Sequence, residues 1–221
     1  MNSPMRPPPL RLALALLTLS SAFADEPEEG FTVLMDGKTF AGWTAATENP
    51  GTWKIEDGAF VSRGARNHLF YTGDAVPFKN FELKVEVMTD PGANGGIYFH
   101  TRYQETGWPK AGFETQVNNT QSDWKKTGSV YDVASVGFAT AQDGKWWTQH
   151  IIVEGNIVTV KVDGKTVVQY KEPPGTQPGK DFERKLGAGT FALQAHDPKS
   201  IVRYKNIRVK RLPDEPVLDK K

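Results

Sequence analysis

Between residues 81 and 88 apolar side chains occupy every second position: Phe81, Leu83, Val85 and Val87 alternate with Glu82, Lys84, Glu86 and Met88. A period of two turns one set toward a core and the other toward solvent, as in a half-buried β-strand. β-Branched runs at 151–153, 157–162 and 166–170 predict three more strands, the last two joined through Asp163-Gly164. Segments 53–55 and 59–62 flank Asp57-Gly58 in the same manner. Asp-Gly suits a tight hairpin because both positions tolerate positive φ. Two further strands are expected at 190–196 and 201–212. No stretch carries a sustained 3.6-residue apolar period with helix caps. Many strands and short turns predict an all-β sandwich of two antiparallel sheets.

Segment 95–119, GGIYFHTRYQETGWPKAGFETQVNN, adds chemistry to this pattern. Strict alternation sends Tyr98, His100 and Arg102 to one face and Ile97, Phe99 and Thr101 to the other. The following strand sends Glu114, Gln116 and Asn118 opposite Phe113, Thr115 and Val117. In strand 190–196, Ala192, Gln194 and His196 oppose Phe191 and Leu193. If these strands are neighbours, His100, Glu114, Gln116, Gln194 and His196 converge on one groove. Trp108, Trp124 and Tyr131 fall in or beside the irregular segment between strands, where rings stack on the apolar faces of sugars. Trp43, Trp53, Trp146 and Trp147 are expected in core or edge packing.

Each of these residues also has a plainer role. Glu114 is a catalytic or ligand-ordering carboxylate, or a surface charge paired with Arg102 or Lys125. Arg102 clamps hydroxyls and stabilises developing negative charge, or forms a solvated ion pair. His100 suits a base near neutral pH. His196 contributes to the groove, or only starts a turn with Asp197-Pro198. His100, Glu114 and His196 would make a two-His, one-carboxylate set for a divalent metal, although they lack a compact ligand spacing. No nucleophile elbow, phosphate loop or dinucleotide fingerprint is present, and the glycine-rich 92–96 precedes a strand rather than a helix.

Residues 1–24 read as a secretory signal peptide, with Arg6 and Arg11, an apolar run at 12–19, and Ala22-Phe23-Ala24 before Asp25. The run is too short to span a bilayer, so no stable membrane insertion is expected after cleavage. Export to the periplasm or beyond is expected. Cleavage would leave 197 of 221 residues, enough for one domain, with 25 basic against 26 acidic residues and a net charge of −1. That balance argues against a nucleic-acid partner. With no Cys, stability rests on burial, and twelve Phe, six Trp and six Tyr supply it. Residues 25–30 are expected to be a mobile leader, 31–212 a single domain and 213–221 a flexible tail.

Several phrases in order along the chain carry a family likeness: FTVLMDGKTFAGW, NGGIYFHTRYQ, GFETQVNN, WWTQHIIVEGNIVTVKVDGK and GTFALQAHDPKSIVRYKNIRVKRL. On these the chain resembles the 3-keto-disaccharide hydrolase domain of bacterial secreted proteins. It departs at Gly95, where Ser is commoner, and at His100, where many relatives carry Arg. The resemblance implies a concanavalin-A-like jelly roll. Laminarinase-type glycosidases of that architecture carry an E-x-D-x-E-like carboxylate set; the comparable strand here is Glu114-x-Gln116-x-Asn118, with one acid. Asp132 is a candidate for a second. Retaining hydrolysis needs two carboxyl groups about 5 Å apart. The resemblance instead implies cleavage of 3-keto-glucosides or 3-keto-disaccharides by C2 proton abstraction, elimination and hydration, downstream of an enzyme that oxidises C3 of the sugar. Glu114 or His100 would then be the base, Arg102, Gln116 and Gln194 donors, and His196 the acid or a metal ligand; Tyr98, Trp108, Trp124 and Tyr131 would complete the substrate site. A non-catalytic carbohydrate-binding module or an adhesion domain of the same architecture remains the alternative.

Overall fold

A computed structural model describes residues 28–214. The expected signal peptide, residues 25–27 of the leader and the tail beyond Asp214 lie outside these residues. Among them there is no helix, and therefore none long and apolar enough to cross a membrane.

Thirteen strands form two antiparallel sheets, the jelly-roll sandwich expected from the sequence. They are β1 (Thr32–Val33), β2 (Trp43–Ala45), β3 (Trp53–Glu56), β4 (Ala59–Ser62), β5 (Asn67–Tyr71), β6 (Phe81–Thr89) and β7 (Gly95–Thr101). The remainder are β8 (Phe113–Val117), β9 (Trp147–Glu154), β10 (Ile157–Val162), β11 (Lys165–Lys171), β12 (Thr190–Ala195) and β13 (Val202–Arg211). The larger sheet runs β11-β10-β9-β6-β13-β4-β3, with β1 also on β13; the smaller runs β2-β5-β12-β7-β8.

Alternation decides the larger sheet. In β6, Phe81, Leu83, Val85 and Val87 are buried while Glu82, Lys84, Glu86 and Met88 are half-buried. The hairpins at Asp57-Gly58 and Asp163-Gly164 form as expected, with φ of 49° and 76° in the first and 47° and 78° in the second. Both central residues in the left-handed region match the strand twist.

The smaller sheet is different. Every residue of β5, β7, β8 and β12 is buried, because the core covers one face and loops cover the other. Behind it Ile97, Phe99, Phe113, Phe191 and Leu193 pack against Phe81, Leu83 and Ile151 of the larger sheet. Phe78 and Phe191 stack with ring centroids 4.5 Å apart. Strand β5 escapes alternation for the same reason: His68, Leu69 and Phe70 are all buried. Trp43, Trp53 and Trp147 are buried as expected, whereas Trp146 is 37 % exposed under Lys205, whose Nζ lies 4.1 Å from the ring centroid.

One irregularity overturns part of the expected facing. Between β7 and β12, Tyr98 pairs with Ala192 and Thr101 with Thr190, so Phe99 and His100 oppose Phe191 alone. This is a β-bulge, with His100 at φ 53°. The extra residue breaks the period of two, and side chains from position 100 onward no longer follow the face of Tyr98.

Candidate active site

The outward face of the smaller sheet carries two transverse rows, read from the strand register. One row is Phe70, Ala192, Tyr98 and Glu114; the next is His68, Gln194, Gly96 and Gln116. Glu114 is 8 % exposed and sits in the centre of a bonded cluster. Tyr98 donates its hydroxyl to Glu114 Oε2 at 2.8 Å, and Gln194 Nε2 donates to Glu114 Oε1 at 2.9 Å and to the Tyr98 oxygen at 3.1 Å. Gly96 makes the space: a Cβ there would stand 2.3 Å from Glu114 Oε1.

Burial pushes the Glu114 carboxyl up to about 7, against the downward pull of the Tyr98 and Gln194 hydrogen bonds. The same burial, with the Glu114 charge beside it, raises the Tyr98 phenol well above its ordinary value. Glu114 is thereby tuned to exchange a proton near neutral pH, and Tyr98 stays protonated as its donor.

Above this floor lies a pocket of about 340 Å³, lined by Asn94, Trp108, Glu114, Gln116, Asp123, Tyr131, Asp132, Phe182, Arg184, Gln194 and His196. His196 stands just past the end of β12. Its Nδ1 bonds Asp197 Oδ2 at 2.8 Å, and Asp197 also accepts from Ser200 Oγ at 2.8 Å and the Lys199 amide at 2.8 Å. Against the upward push of burial, the bonds from His196, Ser200 and Lys199 hold the Asp197 carboxyl below its usual range. An ionised Asp197 fixes the proton of neutral His196 on Nδ1 and leaves Nε2 for exchange with a ligand. The Trp108 ring packs on His196 with centroids 5.3 Å apart and covers His68 edge-on at 5.6 Å.

The opposite rim comes from two loops. Segment 127–134 extends the sheet edge, with Gln116 N donating to Ser129 O and Tyr131 N to Glu114 O, both at 2.9 Å. Tyr131 O accepts from Arg184 Nη1, and Asp132 is held by Lys125 at 3.0 Å and Arg184 at 3.3 Å. The Arg184 guanidinium lies over the rings of Tyr131 and Phe182, 5.7 and 5.2 Å from their centroids.

Of the residues expected from sequence, Glu114, Gln116, Gln194, His196, Trp108 and Tyr131 share this pocket. Tyr98 lies beneath Glu114 and does not line it. Three expectations are corrected. The bulge turns His100 away: its Nε2 lies 2.8 Å from Lys79 O, its Nδ1 accepts the Gly187 amide at 3.2 Å, and its ring packs edge-on against Phe81. Both nitrogens serve backbone groups, so His100 is neither the base nor a partner for Glu114 and His196 around a metal. Arg102, past the same bulge, is exposed and paired with Glu183. Trp124 is 61 % exposed outside the pocket, with Lys125 Nζ 5.6 Å from its ring centroid. Among the described residues, no cluster of three His, Asp or Glu side chains fits a metal ion.

Sequence reasoning missed Asn94, Asp123, Phe182 and Arg184, and it treated Asp197 only as a turn residue. The adjacency of His196 and Asp197 was a usable signal. Phe182 and Arg184 lie in a strand-free connection between β11 and β12 with no periodicity to mark them.

Residues 30–210 match the profile of the 3-keto-alpha-glucoside-1,2-lyase-like domain. The chain belongs to this family. A curated relative, the 3-keto-disaccharide hydrolase of Bacteroides thetaiotaomicron, is 37 % identical over 79 residues, a match that covers 32 % of this chain and 27 % of that protein. The match thus spans about a quarter of that relative's length. Among solved structures, a protein of Parabacteroides distasonis, provisionally named a glycosyl hydrolase, superposes with a TM-score of 0.69 at 22 % identity, covering 84 % of this chain and 95 % of the other. The carbohydrate-binding module CBM66 of Bacillus subtilis gives a TM-score of 0.56 at 14 % identity, over 76 % of this chain and 95 % of that one. Both structural likenesses concern the fold.

Proposed function

We propose that this domain cleaves 3-keto-glucosides, including 3-keto-disaccharides, by elimination followed by hydration. The observation that carries it is one buried carboxyl, tuned to about 7, sharing a pocket with an Asp-oriented histidine. Where a retaining glycosidase would place its second carboxyl, the strand pattern gives amides, Gln116 on the same strand and Gln194 two strands away. Asp132 is engaged by Lys125 and Arg184.

A ketone at C3 makes the C2 proton acidic. Glu114 removes it, and the electron pair moves through the enolate to form the C1–C2 double bond as the glycosidic oxygen leaves C1. His196, entering this step protonated on both ring nitrogens, gives its Nε2 proton to that oxygen and becomes the neutral Nδ1–H form held by Asp197. In the hydration Glu114 returns its proton to C2 while water gives its hydroxyl to C1 and its remaining proton to His196 Nε2, so both groups are restored and the sum is hydrolysis. Arg184 takes the role that the sequence offered to Arg102: it lines the pocket and faces the oxyanion that develops on the C3 oxygen. A substrate of this kind must be supplied by an enzyme that oxidises C3 of a glucoside. The leader-like residues 1–24 support export, which places the reaction in the periplasm or outside the cell.

A second reading, sugar binding without chemistry, is supported by the aromatic rim of Trp108, Tyr131 and Phe182. One assay separates the two. The protein is incubated with 3-keto-glucosides and their unoxidised parents while 2-hydroxy-glucal formation is followed. Cleavage of the oxidised set alone is expected. Saturable binding with no product would leave the binding module standing, and cleavage of the parents would restore ordinary glycosidase chemistry.

A further inference from the structure

The His196–Asp197 pair stands at the pocket rim, with 33 % and 35 % of the two side chains exposed. Water competes for both partners of so open a pair, and an exposed pair by itself holds two side chains loosely. What restrains Asp197 lies on its buried side. The turn after β12, His196-Asp197-Pro198-Lys199-Ser200, closes with the Ser200 amide donating to Asp197 O at 3.0 Å and the Lys199 amide to Asp197 Oδ1 at 2.8 Å. Pro198 presets the turn. Ser200, only 1 % exposed, donates its hydroxyl to Asp197 Oδ2 at 2.8 Å, the same oxygen that bonds His196 Nδ1.

The direction of the Ser200 bond is forced from behind. The Asn94 amide donates to Ser200 Oγ at 2.9 Å, and a backbone N–H can only donate. The hydroxyl therefore turns its proton to Asp197, whose ionised oxygens can only accept. Asn94 is placed by the sheet, because the next residue, Gly95, pairs with Ala195 across β7 and β12. A Cβ at position 95 would stand 2.7 Å from Tyr204 Oη and 3.3 Å from Gln194 O, so glycine lets β7 begin this close to the turn. Without Ser200 Oγ, the Asp197 carboxylate keeps the Lys199 amide on Oδ1 and no donor on Oδ2 but His196 itself. It is then free to turn about its Cβ–Cγ bond, away from the imidazole.

We propose that Ser200 is a positioning residue for the reaction: holding the Asp197 carboxylate from its buried side, it keeps His196 bonded through Nδ1, with Nε2 left for the leaving oxygen. The inference rests on the elimination function proposed above, where His196 has a leaving group to protonate. Ser200 does not line the pocket and acts through Asp197. Its contribution therefore appears where the leaving group needs a proton, and while residue 197 carries its charge.

The test compares kcat of the wild-type protein and Ser200→Ala on methyl 3-keto-glucoside, whose alkoxide needs a proton, and on 4-nitrophenyl 3-keto-glucoside, whose phenolate leaves without one. The variant is expected to lose at least about fivefold on the first and to stay within about twofold on the second. In an Asp197→Asn background the same substitution should change kcat on the methyl substrate by less than about twofold, because both changes act through one carboxylate. Equal losses on the two substrates, or losses that multiply in the double variant, would reduce Ser200 to a structural role and overturn the proposal. Should Ser200→Ala fail to fold, Ser200→Cys, close in volume and a weak donor, takes its place under the same criteria. Imidazole nitrogen shifts in NMR read the claim without turnover. Neutral His196 should hold the Nδ1–H form in the wild-type protein and become a mixture of tautomers in the variant, and an unchanged spectrum would overturn the proposal. A wild-type protein that leaves both 3-keto-glucosides intact would instead sink the lyase function, with the NMR result still deciding whether Ser200 orients His196.

Discussion

Tyr98 and Glu114 are register partners across β7 and β8, and the phenol donates to the carboxyl at 2.8 Å from below the pocket floor. The bond stabilises the ionised carboxylate, so it sets the proton affinity of the proposed base without touching substrate. Tyr98→Phe removes the donor and keeps the ring. Glu114 should then titrate above about 7, and the acid limb of kcat/KM for a 3-keto-glucoside should move up by about one pH unit, given the strength of bonds to charged groups. An unmoved limb with merely reduced activity would assign Tyr98 to packing alone.

The linkage of Glu114 to stability has a definite sign. Its native value of about 7 lies above the ordinary 4.5, so the folded protein holds a proton that the unfolded chain releases. That contribution is fully present below about pH 4.5 and is lost as pH rises through about 7, a total of about 3 kcal/mol. Glu114→Gln cannot titrate. Urea unfolding at pH 5 and pH 8 should show the variant gaining on the wild-type protein across that interval. Turnover should fall at least about a hundredfold.

Asp197→Asn keeps the acceptor for the Lys199 amide but removes the charge that orders His196. Loss of the preferred tautomer should lower kcat by about tenfold or more, with a melting temperature close to that of the wild-type protein. Imidazole nitrogen shifts in NMR would show whether the Nδ1–H form of neutral His196 has been lost.

His68 is buried with both nitrogens unpaired, and burial holds it down at about 3, so it is neutral in any ordinary buffer. Its ring packs edge-on against Tyr98 and Trp108. His68→Phe replaces an unpaired polar ring with an apolar one of similar shape. A gain of about 1 kcal/mol in unfolding free energy is expected, measured by denaturant titration. A loss would show that the imidazole nitrogens are satisfied in solution.

Residues whose environment is set by their own strand were readable in advance. Phe81 to Val87 alternate because one side meets the core and the other meets water. Glu114, Gln116 and Gln194 were placed on one face by the same count, and they do share a pocket. Strand β5, with His68 on it, was invisible because burial on both faces erases the period. His100 and Arg102 were misassigned because a bulge inserts one residue, and nothing in GGIYFHTRY marks where counting must restart. Arg184 reaches the site through tertiary packing of an irregular connection, for which the local sequence carries no rule.

The floor of the pocket is anchored in hydrogen-bonded strands, β8 and β12, whereas Phe182 and Arg184 on its rim hang from a connection without regular structure. The proton-handling side chains and the rim are thus housed in parts that can drift at different rates. Insertions between β11 and β12 can reshape the mouth of the pocket while Glu114 and Gln194, pinned by the strand ladders, keep their places.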